Sequence, residues 1–203
     1  MKILDMPKLY SPFIRKEING KYVVTDEIDP EYAWVFEDKT VRAVEKLHGT
    51  DVSIVIKNGY PDSIWNRTAR IPFFNKGKRF IIEGILESYE RGYCNLEDGQ
   101  WFGELIGPKV NGNPYNLDKN IWIPFSTYCW DRLHYKSWGK YPKTFESISE
   151  WFKTLMPLFY MSQHNGELGF VEGVVFTHPD GRMAKLRIDM FDWHTGRAHK
   201  QND

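Results

Sequence analysis

The chain has 203 residues, 41% of them apolar and 16% aromatic, enough to bury a sizeable core and about the size of one ordinary domain. Its apolar residues fall in short runs broken by charges, so no window reaches the roughly 20 apolar residues that a membrane helix needs, and Asp5 and Pro7 interrupt the place where a secretory leader would be continuous. With 27 basic and 27 acidic residues the net charge is zero, which excludes a globally cationic polyanion binder and leaves any such contact to a local patch.

Two stretches qualify as that patch: Lys76, Lys78 and Arg79, and the tail bearing His194, Arg197, His199 and Lys200. Each taken alone reads equally well as solvated surface. Cys94 and Cys129 lie far apart without CxxC spacing, which fits reduced core thiols better than a disulfide framework or a zinc site. With no leader and no membrane span, a cytoplasmic protein is expected.

Taken in chain order, the elements read as α+β. Alternation from Asp51 to Lys57 puts Val52, Ile54 and Ile56 on one face of a strand, and Asn58-Gly59 signals a hairpin turn. A second strand is expected over Ile64 to Ile71. From Arg79 to Tyr93 the positions Ile81, Ile82, Ile85, Leu86 and Tyr89 recur with a helical period. Gly99 to Ile106 and Ile121 to Tyr128 read as strands, separated by a Gly/Asn/Pro-rich loop. Ser147 with Glu150 suggests a capping box before a helix that presents Ile148, Trp151, Phe152 and Leu155 and stops at Pro157.

A last hairpin is expected from Val171 to Ile188, turning at His178-Pro179-Asp180-Gly181. A turn centred on Asp180-Gly181 sets Val174 opposite Arg187 and Glu172 opposite Asp189, with Glu172, Lys185 and Arg187 sharing one face. A carboxylate and two cations projecting together suit a phosphate and a divalent ion; the same trio also reads as a surface cross-strand salt bridge. No internal repeat or Pro/Gly/Ser-rich linker divides the sequence, so residues 1–203 are expected to form a single domain.

Five segments, in order, carry the chemistry: Ala43-Val44-Glu45-Lys46-Leu47-His48-Gly49-Thr50, Asn66-Arg67-Thr68, Phe102-Gly103-Glu104-Leu105-Ile106-Gly107, Glu172-Gly173-Val174-Val175-Phe176 and Lys185-Leu186-Arg187. Together they resemble the motifs of the covalent nucleotidyltransferases, the superfamily of ATP-dependent DNA and RNA ligases and mRNA capping enzymes. His48 and the Thr50 that follows the glycine are most similar to the nick-sealing RNA ligases. The resemblance spans Lys46 to Arg187 and departs from the family at Lys185-Leu186-Arg187, where Lys-x-Lys is usual. The sequence ends shortly afterwards, so no separate C-terminal domain is expected.

That resemblance implies an adenylation domain of mostly antiparallel sheets with flanking helices, acting as a monomer on RNA ends or a nicked duplex, RNA–DNA hybrids included, in RNA repair. It implies ATP and Mg²⁺ or Mn²⁺ as cofactors. Lys46 would attack ATP, AMP would pass to a 5′-phosphate, and a 3′-hydroxyl would displace AMP. Because a free lysine titrates near ~10.4, its amine must be made less basic, by burial or by neighbouring cations such as Lys185 and Arg187. By the same resemblance Glu104 takes the ribose hydroxyls, Arg67 reaches the ribose and the nucleic-acid ends, and Glu172 sits by the metal and α-phosphate. Lys185 neutralises that phosphate, His48 serves the later AMP transfer, and Glu45 counts among the ATP-binding residues. Phe125, with Trp122 second, is the expected adenine-stacking ring. The rival expectations are a capping-type guanylyltransferase and a non-catalytic nucleic-acid-binding module.

Overall fold

A computed structural model describes residues 2–164 and 169–195. In chain order it contains β1 (Phe13–Ile18), β2 (Lys21–Ile28), α1 (Trp34–Glu37), β3 (Arg42–Lys46), β4 (Thr50–Lys57), β5 (Tyr60–Asn66), β6 (Ala69–Ile71), α2 (Arg79–Glu90), β7 (Gly99–Ile106), β8 (Ile121–Pro124), α3 (Thr127–Arg132), α4 (Phe145–Lys153), α5 (Leu158–Gln163), β9 (Gly173–Thr177) and β10 (Met183–Arg187). The fold is α+β with antiparallel sheets. Its elements divide into two compact units: residues up to Pro7 with His48–Arg132, and Lys8–Leu47 with the chain from Leu133 onward.

The first unit is built on a five-stranded sheet in the order β6-β5-β4-β7-β8. Alternation along β4 sends Val52, Ile54 and Ile56 into a core shared with Ile81 and Ile85 of α2, Leu105 of β7 and Trp122 of β8. Burying each such side chain contributes roughly 1.5–3 kcal/mol, so this face fixes the sheet's register. Asn58 and Gly59 make the expected turn, with both amides donating to the Asp98 carboxylate at 2.8 and 2.9 Å.

The second unit holds a three-stranded sheet, β10-β9-β3, and the separate hairpin β1–β2. Ala43, Val174, Phe176, Ala184 and Leu186 point to one side, into an aromatic core with Ile148, Trp151 and Phe152 of α4 and with Phe191.

Several expectations are corrected. The strand expected over Ile64 to Ile71 is a hairpin, because Arg67 adopts φ +52° and turns the chain so that Asn66 pairs with Ala69. The strand from Ile121 ends at Pro124; Ser126 then accepts from the Cys129 amide at 3.4 Å and starts α3. The buried stripe of α2 runs Ile81, Gly84, Ile85, Ser88, leaving Leu86 exposed. Thr144 rather than Ser147 caps α4, its hydroxyl accepting from the Ser147 amide at 3.3 Å, while Glu150 pairs with Lys153 at 2.6 Å.

The last hairpin is shifted by one residue: Val174 faces Leu186, not Arg187, and Gly173 faces Arg187. The His178 amide donates to the Arg182 carbonyl at 3.0 Å, so three residues form the turn instead of two, and an odd loop displaces the whole register. Cys94 and Cys129 are free and buried. No described helix is long and apolar enough to cross a membrane.

Candidate active site

In the three-stranded unit the register lines up Lys46 of β3, Gly173 of β9 and Arg187 of β10 in one row, with Val44, Val175 and Lys185 in the next. Alternation puts these residues on the face away from the aromatic core. Glu172, just before β9, is 3% exposed; its carboxylate lies 2.8 Å from Lys46 Nζ and 4.0 Å from the Arg187 guanidinium. Thus Glu172, Lys185 and Arg187 do meet, although Glu172 reaches them from outside the strand rather than as the cross-strand neighbour of Asp189. Gly173 is required in the middle of the row: a Cβ there would lie 2.3 Å from the Leu186 carbonyl oxygen and 2.6 Å from Arg187 Cα.

Burial lowers the Lys185 pKa, and the like charges of Lys46 and Arg187 lower it further. Asp189 holds Arg187 from its other side, Nε to Oδ1 at 3.0 Å, an ion pair without hydrogen-bond alignment. The arrangement combines three cations with one nearly buried carboxylate, a site able to grip a phosphate and to present an amine to it. Among the described residues no three His, Cys, Asp or Glu side chains cluster to hold a metal by themselves. A lone carboxylate nevertheless fits Mg²⁺ or Mn²⁺, since such ions are commonly held by one or two carboxylates together with substrate phosphates and waters.

Glu45 departs from expectation. Strand alternation turns it away from Lys46 into the core, where it is 3% exposed and accepts from the Phe159 amide at 2.8 Å. Burial pushes its pKa up to about 8 against the opposing pull of the Phe159 and Leu158 amides. A carboxyl enclosed there does not share the Lys46 face, which corrects its assignment as an ATP contact.

In the five-stranded unit the main-chain amide of His48 donates to the Tyr115 hydroxyl at 2.7 Å, and Tyr115 is fully buried. Gly49 packs directly on β7: a Cβ would fall 2.1 Å from the Leu105 carbonyl oxygen and 2.9 Å from Glu104 Cγ. The first and third motifs are thereby adjacent within this unit, with Asp51 paired opposite Glu104. Phe125 continues the β7–β8 ladder, its amide donating to the Phe102 carbonyl at 2.8 Å, so the register puts its ring on the same face as Glu104. Trp122 lies on the other face, fully buried, with its indole N–H on the Val52 carbonyl at 2.9 Å; it is a core residue, not a second stacking ring. Arg67 is exposed at the β5–β6 turn.

Two carboxylates were not anticipated. Asp189 holds Arg187, a role visible only once the chain turns at Ile188. Asp51 has its pKa pushed up to about 6, first by burial and then by Asp5, with Arg67 opposing. Its position one residue after Thr50 was the available signal. Of the basic patches, Lys76, Lys78 and Arg79 are exposed, while Arg197, His199 and Lys200 lie outside the described residues.

No protein-family model matches the chain. Nor does any curated protein sequence. Among solved structures it is similar to an RNA ligase of Naegleria gruberi. A mutant of that ligase with ATP and Mn aligns at 14% identity over 88% of this chain and 59% of the other, with a TM-score of 0.51. A second mutant, apo, aligns at 14% identity over 89% and 59%, with a TM-score of 0.48. The fold of this chain is that of the RNA-ligase type of nucleotidyltransferase. The chain spans about three-fifths of the length of the ligase it matches.

Proposed function

We propose that this chain is the nucleotidyltransferase domain of an ATP-dependent RNA ligase, with Lys46 as the residue that takes up AMP. The observation that carries the reading is the Lys46–Glu172 pair at 2.8 Å, set on one sheet face with Lys185 and Arg187 in a chain of this fold. Lys46 Nζ attacks the α-phosphorus of ATP, the bond to the β-phosphate oxygen breaks, and pyrophosphate leaves with the bonding electrons. A divalent cation held by Glu172 would supply charge for the phosphates. Lys185 and Arg187 stabilise the charge that grows on the phosphoryl oxygens, and the planar Arg187 fork offers two parallel donors where a second lysine would offer a point charge. Glu104 and Phe125 are assigned the nucleoside, Arg67 the ribose and the nucleic-acid ends, and His48 the later passage of AMP to a 5′-phosphate, on which a 3′-hydroxyl then acts.

The free thiols of Cys94 and Cys129 support a reducing, cytoplasmic setting. The protein incubated with α-labelled ATP and Mg²⁺ or Mn²⁺, then denatured, is expected to retain label through Lys46 and to lose it in Lys46→Ala. An unlabelled wild type overturns the reading, and labelling by GTP alone replaces it with a guanylyltransferase.

A further inference from the structure

The row of Lys46, Gly173 and Arg187 lies at one end of the three-stranded sheet, and a cluster of charged side chains with no part in the proposed chemistry closes the other end. β9 spans roughly 14 Å at ~3.4 Å per residue, and its last ladder row joins Arg42 of β3, Thr177 and Met183 of β10. His178 follows at once, at the foot of the β9–β10 turn, with its amide donating to the Arg182 carbonyl at 3.0 Å. Its side chain is 13% exposed and meets Trp34 of α1 edge to face, ring centres 5.8 Å apart.

Both ring nitrogens of His178 meet carboxylates. Nε2 is 3.0 Å from Asp38 Oδ2, in the loop that leads into β3, and Nδ1 is 2.7 Å from Asp180 Oδ1, in the turn itself. A neutral imidazole carries one N–H and can donate to one of these carboxylates; only the charged ring donates to both. Nδ1 also has the Asp180 amide 3.2 Å away, a donor that a neutral ring can accept from. Two bonding states are thus built into one side chain. Charged, it bridges Asp38 and Asp180; neutral, it keeps Asp38 and turns a lone pair toward the Asp180 carboxylate.

The surroundings favour the charged state. The Asp38 contact raises the His178 pKa, burial opposes, Asp180 raises it further and Arg182 pulls it back. Asp38 is held far below the usual carboxylate range, first by the Thr40 hydroxyl and amide, each at 2.7 Å, and then by His178. Asp180 is brought down to about 2, first by the Arg182 amide at 3.0 Å, so both carboxylates are ionised wherever the imidazole titrates. Arg182 Nε also donates to Asp180 at 2.7 Å, and its guanidinium lies 4.9 Å from the Trp34 ring centre. Lys143, just before α4, adds a further cation that acts on Asp38.

We propose that protonated His178 is a pH-operated clasp: it ties the loop before β3 to the β9–β10 turn, closing the end of the three-stranded sheet opposite Lys46, and loss of its proton opens that end. The clasp does not depend on the adenylation reading. A histidine whose pKa is raised by folding contributes its full stabilisation below the ordinary value near ~6.5 and loses it as pH rises through the raised one. The clasp is therefore shut in mildly acidic solution and released as the solution turns alkaline.

Proton NMR of the imidazole and amide hydrogen exchange test it together. The His178 midpoint is expected above the ordinary value in wild type and lower in Asp38→Asn, which keeps a carbonyl acceptor for the Thr40 amide. The turn amides of His178 and Gly181, which donate to the Arg182 and His178 carbonyls, report the clasp itself. Corrected for the intrinsic pH dependence of exchange, their protection should fall several-fold as wild type passes through the His178 midpoint and stay level in His178→Gln. Wild type and His178→Gln both carry Glu45, so the difference between their melting temperatures isolates the clasp; it should be widest near pH 6 and shrink by pH 9. Asp38→Asn keeps the imidazole and its midpoint measurable if His178→Gln disturbs the turn. A His178 midpoint at or below the ordinary value overturns the inference, as does turn protection that stays constant across that midpoint or a melting gap that does not change with pH.

Discussion

In the three-stranded unit the candidate residues are tied to one another: Lys46 to Glu172 at 2.8 Å, Glu172 to Arg187 at 4.0 Å, Arg187 to Asp189 at 3.0 Å. In the five-stranded unit they are set by the main chain: His48 through its amide, Gly49 through close packing on β7, Phe125 through a ladder bond, Arg67 through a left-handed turn. Linked charges can redistribute when a phosphate arrives, whereas backbone-fixed groups define a shape. The first arrangement suits attack on the α-phosphate, and the second suits recognition and, at His48, the later passage of AMP.

The largest expected effect tests that division directly. Glu172→Gln should lower the rate of lysyl-AMP formation at saturating ATP by roughly 10²–10³, the loss typical of removing one transition-state contact, with little change in the ATP concentration for half-maximal rate. Glu104→Gln should instead raise that concentration by about tenfold or more while leaving the saturated rate within a few-fold, the sign of a lost binding contact. Single-turnover labelling across ATP concentrations separates the two, and the opposite pattern breaks the comparison.

A second effect concerns stability and sharpens the contrast between the two units' carboxyls with raised pKa, Glu45 and Asp51. Glu45 is enclosed in the core of one unit; Asp51 lies on the sheet face of the other. The folded-state pKa of Glu45, about 8, stands above its ordinary 4.5. Between those values the folded protein binds a proton that the unfolded chain has lost, so stability falls as pH rises through this window and levels off above it. Glu45→Gln keeps an acceptor for the Phe159 amide and carries no charge. Its melting temperature should match wild type near pH 4.5 and exceed it at pH 8.5, by the equivalent of roughly 2–4 kcal/mol. A gap between the two proteins that does not change with pH would show that Glu45 stays ionised in the fold.

What could be read in advance follows the same line. β4 and the Asn58-Gly59 turn are legible because Val52, Ile54 and Ile56 recur at every second position, although Ser53 and Val55 on the other face are buried as well, and β7 is legible from its β-formers Trp101, Phe102 and Ile106 without any alternation. Of the five motif segments, the first and the fourth are joined in the structure by the Lys46–Glu172 contact. The one-residue slip in β9–β10 was not legible, since Pro-Asp-Gly serves two-residue and three-residue turns alike and the next residues give both registers an apolar face. The hairpin β1–β2 was missed although Asn19-Gly20 marks its turn: Lys16, Glu17 and Ile18 are all exposed, so no period of two betrays the strand.

The smallest effect is at Arg67. Among the described residues, those other than glycine with positive φ are asparagines, except Arg67 at +52°. Asparagine tolerates this region through its short polar side chain, while a longer residue there costs on the order of 1 kcal/mol. The residue is exposed, so no burial offsets the cost. Arg67→Gly should therefore raise stability by about 0.5–1 kcal/mol, and Arg67→Asn should do much the same with less freedom added to the unfolded chain. If the strained turn exists to aim the guanidinium, both variants should melt higher and seal RNA more slowly, with lysyl-AMP formation less affected than sealing. Variants that melt higher and seal as well as wild type would make the turn a structural accident, and would remove Arg67 from the set that the main chain of this unit positions.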